Sequence, residues 1–354
     1  MPERQPQARR VIHLLGTLAL LVALLGGVPR ATPRVAAAPQ PQGSGDLYLA
    51  LGDSLGVGLL SSAPDTRGYV ARFHSLLEQS AGHPIILRNL SVSGETARTM
   101  IDGGQLAAAQ AALAEAQRAG WRVSPITIDI GGNDLRTLQA RDDAAREAGL
   151  VDFRAALAQI FDTLIAATTV NGVRQGDMIA MTVYNPAVGD PKVVRSDAWW
   201  IARFNTAITE EAAKRNIAVA DAYGRFFGRE KALTWMPLDF HANNAGHQVL
   251  ANEFWRAAGY DTTPPTLEVV APAAGALPRT VPTIKVRAAD TIGVTQVEFR
   301  LDDQPLPTPV YSRDLDLWIG YWDARAASAG AHRLVITARD AAGNITSQEI
   351  SVTR

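Results

Sequence analysis

Four short stretches, far apart along the chain, each carry residue types that one hydrolytic site would need. They are Gly52-Asp53-Ser54-Leu55, Ser93-Gly94-Glu95, Gly131-Gly132-Asn133-Asp134 and Asp239-Phe240-His241-Ala242-Asn243. The first puts a serine hydroxyl at the end of an apolar run, Leu47 to Leu51, and the last offers an imidazole with a carboxylate close by. Between them stand a glycine suited to a tight turn, Gly94, and an asparagine after two glycines, Asn133. Serine with histidine gives a nucleophile and its base, and donors aimed at a carbonyl oxygen stabilise negative charge as it develops. Gly-x-Ser-x-Gly from Gly52 to Gly56 recurs often by chance, and Gly131–Asp134 alone reads as a turn. The four together, in this order, are specific.

The elements that must hold these blocks alternate. Apolar runs at Asp46–Leu51, Ile85–Leu90, Ile126–Ile130, Met178–Val183 and Ile217–Ala220 are short, without period and bounded by turn residues. They read as strands buried on both faces. Helical spacing falls between them at Tyr69–Gln79, Gln105–Arg118, Asp152–Thr169 and Ala198–Lys214, with a last helix over Ala245–Ala257 capped by Asn243 or Asn244. Such alternation predicts a parallel sheet covered by helices on both sides. Ser54, Gly94 and Asn133 each closely follow a strand, and open sheets of this kind bind ligands outside the carboxyl ends of their strands. The pattern alone therefore gathers three of the four blocks at one edge.

The blocks resemble those of the SGNH (GDSL-type) hydrolases, a family of serine esterases, lipases, thioesterases and carbohydrate deacylases. The likeness spans residues 46–258 and implies a flavodoxin-like three-layer α/β/α domain. By that resemblance Ser54 is the nucleophile, with its own N–H in the oxyanion hole; Gly94 adds a second N–H, Asn133 a side-chain amide, and His241 is the base. It also implies no cofactor and no metal. The rival α/β-hydrolase elbow fits less well, since here the serine ends the first strand and the candidate acid almost adjoins the histidine.

One departure matters. The family places its acid three residues before the histidine, and that position is Leu238 here; Asp239 stands two before. Either the loop bends so that Asp239 serves, or a backbone carbonyl such as that of Leu238 orients the ring. A one-residue shift turns the side chain away and leaves a backbone oxygen available, which favours the carbonyl. Either partner would do the physical work, because the third member mainly fixes tautomer and orientation. Asp53 and Asp134 read as carboxylates that accept from loop backbone. His241 and His247 match no helical metal-ligand pair, and His247 is expected on the final helix against the sheet. Trp199 and Trp200 read as core or rim aromatics, with pocket lining as the alternative.

Composition narrows the classes. The 354 residues are 47% hydrophobic and 19% charged, enough for two globular domains. A net charge of −1 gives no electrostatic case for nucleic acid. There is no cysteine, hence no disulfide framework, thiol nucleophile or lipidated cysteine. Arg9-Arg10 precede an apolar stretch, Val11–Val28, followed by Val35-Ala36-Ala37-Ala38. That order is a secretory signal, cut after Ala37, with a retained anchor as the alternative. Its removal takes away five arginines and one glutamate and leaves a net charge of −5. Residues 38–45, rich in proline, glutamine and glycine, read as a disordered lead.

The hydrolase-like segment spans 46–260, and character changes at Asp261-Thr262-Thr263-Pro264-Pro265. Over 264–354 helical spacing disappears. Alternating runs follow at Thr266–Val270, Thr283–Ala288, Val294–Leu301, Trp318–Trp322, His332–Ala338 and Thr346–Val352, parted by turns such as Leu301–Gln304 and Asp340–Asn344. They predict an antiparallel β-sandwich. Asp290-Thr291-Ile292-Gly293-Val294, leading into Thr295–Phe299, and Ala338–Asn344 resemble bacterial immunoglobulin-like domains, which implies a spacer or a wall- or surface-attachment role. The expectation is thus a secreted serine hydrolase cleaving small-molecule, lipid or glycan carboxylic esters through an acyl-enzyme. Alternatives on the same machinery are a deacetylase of O-acetylated glycans, a thioesterase or a lysophospholipase. A non-catalytic wall- or glycan-binding protein on a decayed scaffold is the other alternative.

Overall fold

The computed structural model describes residues 40–186, 189–276 and 282–354. The expected signal segment, 1–37, lies outside the described residues.

Five strands form the first sheet: β1 (Leu47–Gly52), β2 (Ile86–Asn89), β3 (Val123–Asp129), β4 (Met178–Met181) and β5 (Ala218–Ala220). Their order is β2-β1-β3-β4-β5 and every pair is parallel. The helices that bear on the site are α1 (Ser54–Val57), α2 (Tyr69–Ala81), α3 (Gln105–Ala119), α4 (Gly132–Leu138), α5 (Asp143–Thr168), α6 (Asp197–Ala213) and α7 (Asn244–Ala258). Alternation along β1 separates two cores, as the two-residue period of a strand requires. Leu47, Leu49 and Leu51 pack with α3, α5 and α6, whereas Tyr48 and Ala50 pack with α2 and α7. All six residues of β1 are buried. The domain is therefore a three-layer α/β/α fold, as its strand–helix alternation predicts.

Three boundaries differ from the sequence reading. β3 begins at Val123, upstream of Ile126, and Pro125 falls where the β1–β3 register slips between Leu47 and Leu49. A proline cannot donate to a ladder, and a bulge is where a sheet tolerates one. α5 begins at Asp143 because the Asp142 carboxylate caps it, accepting from the Ala145 N–H at 2.8 Å. Gln42–Gly45, read as part of a disordered lead, is instead tied to the domain. Gln42 N–H donates to Asp177 Oδ2 at 2.8 Å, Gly45 N–H to the Ser124 carbonyl at 2.8 Å, and Arg122 Nη1 to the Gly43 carbonyl at 3.0 Å. Composition cannot register such long-range partners.

The remaining strands, β6 (Thr266–Ala271), β7 (Thr283–Ala289), β8 (Val294–Leu301), β9 (Leu317–Tyr321), β10 (Ala331–Asp340) and β11 (Ile345–Thr353), build two facing sheets. In one, β9-β7-β6 pair antiparallel; in the other, β8-β10-β11 do. Ile284 and Val286 of the first meet Val297, Phe299, Leu334 and Ile336 of the second in one apolar core. The β8 turn closes with Asp302 and Asp303 at φ 46° and 66°, left-handed values that suit the twist of a tight hairpin. Ala341, in the turn before β11, packs into the core shared by α2 and α7.

Candidate active site

The order 2-1-3-4-5 makes β1 and β3 the neighbours at which the chain reverses its direction of winding, and a crevice opens at such a switch point. Ser54 follows β1 by one residue after Asp53, and Asn133 follows β3 closely. At the end of β1 the backbone comes very near Asp129 of β3: a Cβ on Gly52 would stand 1.1 Å from Asp129 Oδ1. Only glycine fits there, and it lets the chain turn into α1. The Gln105 side chain then fixes that peptide from both sides, accepting from Gly52 N–H at 2.9 Å and donating to the Gly52 carbonyl at 3.0 Å. Asp53 caps α1 through its Oδ1 and the Leu55 N–H, 2.9 Å. Ser54 is thereby aimed into the crevice, and its Oγ lies 2.9 Å from His241 Nε2.

His241 comes from the loop between residues 234 and 242. A bridge between Thr234 and Ala242, a bond from Trp235 N–H to the His241 carbonyl at 3.1 Å, and one from the Tyr184 hydroxyl to the Phe240 carbonyl at 3.0 Å close that loop. Asn243 is the N-cap of α7, and its amide also donates to the Ala232 and Thr234 carbonyls at 2.9 and 3.0 Å. The group on Nδ1 is the Asp239 carboxylate at 2.6 Å, and not the Leu238 carbonyl that the spacing favoured. The same oxygen accepts the His241 backbone N–H at 2.8 Å. This is an Asx turn: an aspartate side chain naturally reaches the N–H two residues on, and the ring folds back over the same oxygen. The two-residue spacing is what makes the shared contact possible. Partial burial pushes the Asp239 carboxyl up, but the two His241 hydrogen bonds and the charge of Arg136 outweigh it and hold the group below the usual carboxylate range.

Asn133 ties three blocks together. Its Nδ2 donates to the Glu95 carbonyl at 2.9 Å and to Asp53 Oδ2 at 3.2 Å. The amide that was expected to face an oxyanion is thus occupied, with the longer bond the easier one to exchange. Gly94 sits in a turn closed by Glu95 N–H on the Val92 carbonyl at 3.1 Å, and its φ of 86° is one that favours glycine. It is exposed and does not line the cavity that Ser54, Asn133 and His241 share. Asp134 accepts from Ala97 N–H at 3.1 Å, a backbone bond like that of Asp53 with Leu55.

That cavity measures about 180 Å³ and is walled mainly by Leu135, Met181, Val183, Trp200, Phe204 and Phe240. Trp200 therefore lines it, while Trp199 packs beside Trp200 at 4.8 Å, edge to face. The floor holds two buried carboxyls that sequence reading did not pair. Asp129 Oδ1 accepts the Asp53 N–H at 3.1 Å. Burial pushes the Asp53 carboxyl up to about 7, and burial with the charge of Asp53 holds that of Asp129 well above its ordinary value. Asp129 and Gln105 were missed because each is an isolated polar residue near but outside the blocks, and Glu95, though inside one, was given no role; its carboxylate accepts from the Gln105 amide at 2.9 Å. His247 is fully buried, accepting from Tyr69 N–H at 3.2 Å on Nδ1 with Nε2 at 3.3 Å from the Leu59 carbonyl. Burial pushes its imidazole down to about 4. It lies on α7, as expected, and its hydrogen bonds join that helix to α2 and the Leu59 loop.

A model of the GDSL-like lipase/acylhydrolase family matches residues 50–249, more than half of the chain. The chain belongs to that family. It is accordingly a carboxylic ester hydrolase of GDSL type. A bacterial Ig domain model matches residues 265–338. No curated protein sequence matches the chain significantly. Among solved structures, the acetylxylan esterase Axe2 from Geobacillus stearothermophilus is similar over 63% of this chain and 98% of its own, at 21% identity and a TM-score of 0.48. LAE5, an alpha/beta hydrolase enzyme from the metagenome of Lake Arreo, Spain, is similar over 62% and 97%, at 21% identity and a TM-score of 0.45. The psychrotrophic esterase EstA from Pseudoalteromonas sp. is similar over 60% and 97%, at 18% identity and a TM-score of 0.42.

Proposed function

We propose that this GDSL-type hydrolase is a secreted serine esterase that cleaves short-chain carboxylic esters through an acyl-enzyme. The observation that carries the reading is the unbroken chain from Ser54 Oγ to His241 Nε2, 2.9 Å, and from His241 Nδ1 to Asp239 Oδ1, 2.6 Å. His241 Nε2 takes the Ser54 proton as Oγ attacks the ester carbonyl, and Asp239 holds the ring in the tautomer that leaves Nε2 free to accept. The protonated imidazole then gives that proton to the leaving alcohol. Water, deprotonated by the same nitrogen, releases the acid and restores the serine. The Ser54 N–H and the Asn133 amide are assigned to the oxyanion, Asn133 by letting go of Asp53 Oδ2, whereas Gly94, which does not line the cavity, is left out of that assignment. Such donors act in a water-poor cleft where they count for more than in solvent.

The acyl preference follows from size and lining. A cavity of about 180 Å³ is smaller than the ~300–1,000 Å³ that hold drug-sized ligands, and its walls are apolar. Acetyl to butyryl groups suit it, which keeps O-acetylated glycans among the substrates to test. The signal-like residues 1–37 support secretion, and the immunoglobulin-like domain supports a spacer or surface-attachment role. A panel of 4-nitrophenyl esters from acetyl to palmitoyl, with a thioester and an acetylated xylan, tests the reading. Turnover should peak at the short chains; a peak at palmitoyl, or no turnover of any ester, refutes it.

A further inference from the structure

Helix α4 carries Asn133 and, one turn on, Arg136, so the two share a face. That face, with Gly132, Leu135 and Gln139, lines the cavity containing Ser54 and His241. The Arg136 guanidinium lies over the Phe240 ring, 5.5 Å from its centroid, and Phe240 stacks in turn on His241 at 4.4 Å. The cation is therefore held beside the base by an aromatic face, a geometry that positions it without consuming its donors.

Those donors are unused. Among the described residues, no oxygen accepts a hydrogen bond from the Arg136 side chain and no carboxylate lies within 4.0 Å of it. The other arginine of the cavity contrasts with it: Arg146 is bonded to Asp197 Oδ1 at 3.0 Å and to the Leu138 and Arg141 carbonyls at 3.2 Å each. Asp239 feels the charge of Arg136 but spends its oxygen on His241. The floor opposes an anion weakly, because burial keeps the Asp53 and Asp129 carboxyls raised toward their neutral forms. A planar fork with five N–H donors, free at the mouth of a reactive cleft, matches a carboxylate or phosphate and wastes itself on a neutral group.

We propose that Arg136 is a binding site for an anionic group, a carboxylate or phosphate, carried by the ester substrate. The inference rests on the esterase reading of the same site and names which short-chain esters that site prefers.

Two matched pairs locate the anion. For the acyl side, 4-nitrophenyl hemisuccinate is compared with 4-nitrophenyl butyrate; for the alcohol side, glycerol-3-phosphate monoacetate is compared with glycerol monoacetate. In the wild type, kcat/KM should favour the anionic member of at least one pair. Arg136→Gln should lower that anionic-to-neutral ratio by about tenfold, mostly through KM, as loss of a charge-assisted hydrogen bond does. Arg136→Lys should restore part of it, and added salt should erode it. The carboxylate and phosphate arms say which anion is bound. A ratio that Arg136→Gln leaves unchanged in both pairs overturns the proposal, even with neutral esters turned over normally. Absence of turnover for every ester would instead defeat the esterase reading. Calorimetric titration of the Ser54→Ala protein with the same four esters then decides the binding claim independently: equal affinities with and without Arg136→Gln overturn it.

Discussion

Replacing Asp239 by asparagine removes one charge and almost no volume, so the consequence can be worked from the site itself. The charge interacts with His241 when the imidazole is protonated in the transition state. At a separation of about 4 Å two unit charges are worth ~1 kcal/mol in water and ~4 kcal/mol at an effective dielectric of 20. The Asp239 side chain is 38% exposed but that of His241 only 10%, so the pair sits between those limits and nearer the second. About 2–4 kcal/mol is lost, which is about 30- to 1,000-fold in kcat. The tautomer should survive. Asp239 Oδ1 is pinned by the His241 backbone N–H at 2.8 Å, and turning the amide nitrogen to that place would set two N–H groups against each other. An asparagine oxygen therefore still accepts from Nδ1. That keeps the loss below the ~10⁴ expected where the wrong tautomer is enforced. Steady-state hydrolysis of 4-nitrophenyl acetate, with circular dichroism to check the fold, measures it. Leu238→Ala is the control, since that side chain is 91% exposed and its removal keeps the backbone. A loss under about tenfold in Asp239→Asn would return the orienting role to a backbone carbonyl; a loss beyond about 10⁴ would show that the Asx turn does not hold the oxygen.

Three further outcomes are expected. Ser54→Ala should abolish labelling by a fluorophosphonate and lower kcat by several orders of magnitude, and retention of more than about a tenth of turnover would refute Ser54 as nucleophile. Asn133→Ala should lower kcat by about 10²–10³ with little change in KM, because its donor acts on the oxyanion; a rise in KM at normal kcat would make it a ground-state binding group. Stability should fall as pH rises from about 4 to about 7, because the raised carboxyls of Asp53 and Asp129 bind more protons in the folded than in the unfolded state across that window. Asp129→Asn, a neutral isostere, should flatten that slope in urea melts; an unchanged slope would mean that the Asp129 carboxyl does not titrate with folding.

Much of the fold was legible because the signals are local. A short unbroken apolar run such as Leu47–Leu51 records burial on both faces and helical spacing such as that of Gln105–Arg118 records one buried face, and all five strands and the expected helices are present. The immunoglobulin-like strands were legible for the same reason. Boundaries were lost where a distant partner decided them: Gln42–Gly45 is ordered by Asp177, Arg122 and Ser124, none of which is near in sequence.

For the site, the chain by itself determined which residue types are available and that strand ends gather Ser54, Gly94 and Asn133 at one edge, since a parallel sheet with short crossovers leaves little choice. It could not determine which atoms meet. Whether Asp239 or the Leu238 carbonyl faces Nδ1 depended on an Asx turn closed by Trp235, Tyr184 and Asn243. Whether Asn133 is free or bonded depended on how near Asp53 and Glu95 come. That Asp129 and Gln105 brace the Gly52 turn, and that Arg136 lies over Phe240 with no ion-pair partner among the described residues, are facts of packing between segments about 50 to 100 residues apart. Periodicity carries information about the environment of each element, but hydrogen-bond partners are fixed to tenths of an ångström by loops whose course no local pattern encodes, and there the tertiary structure alone decides.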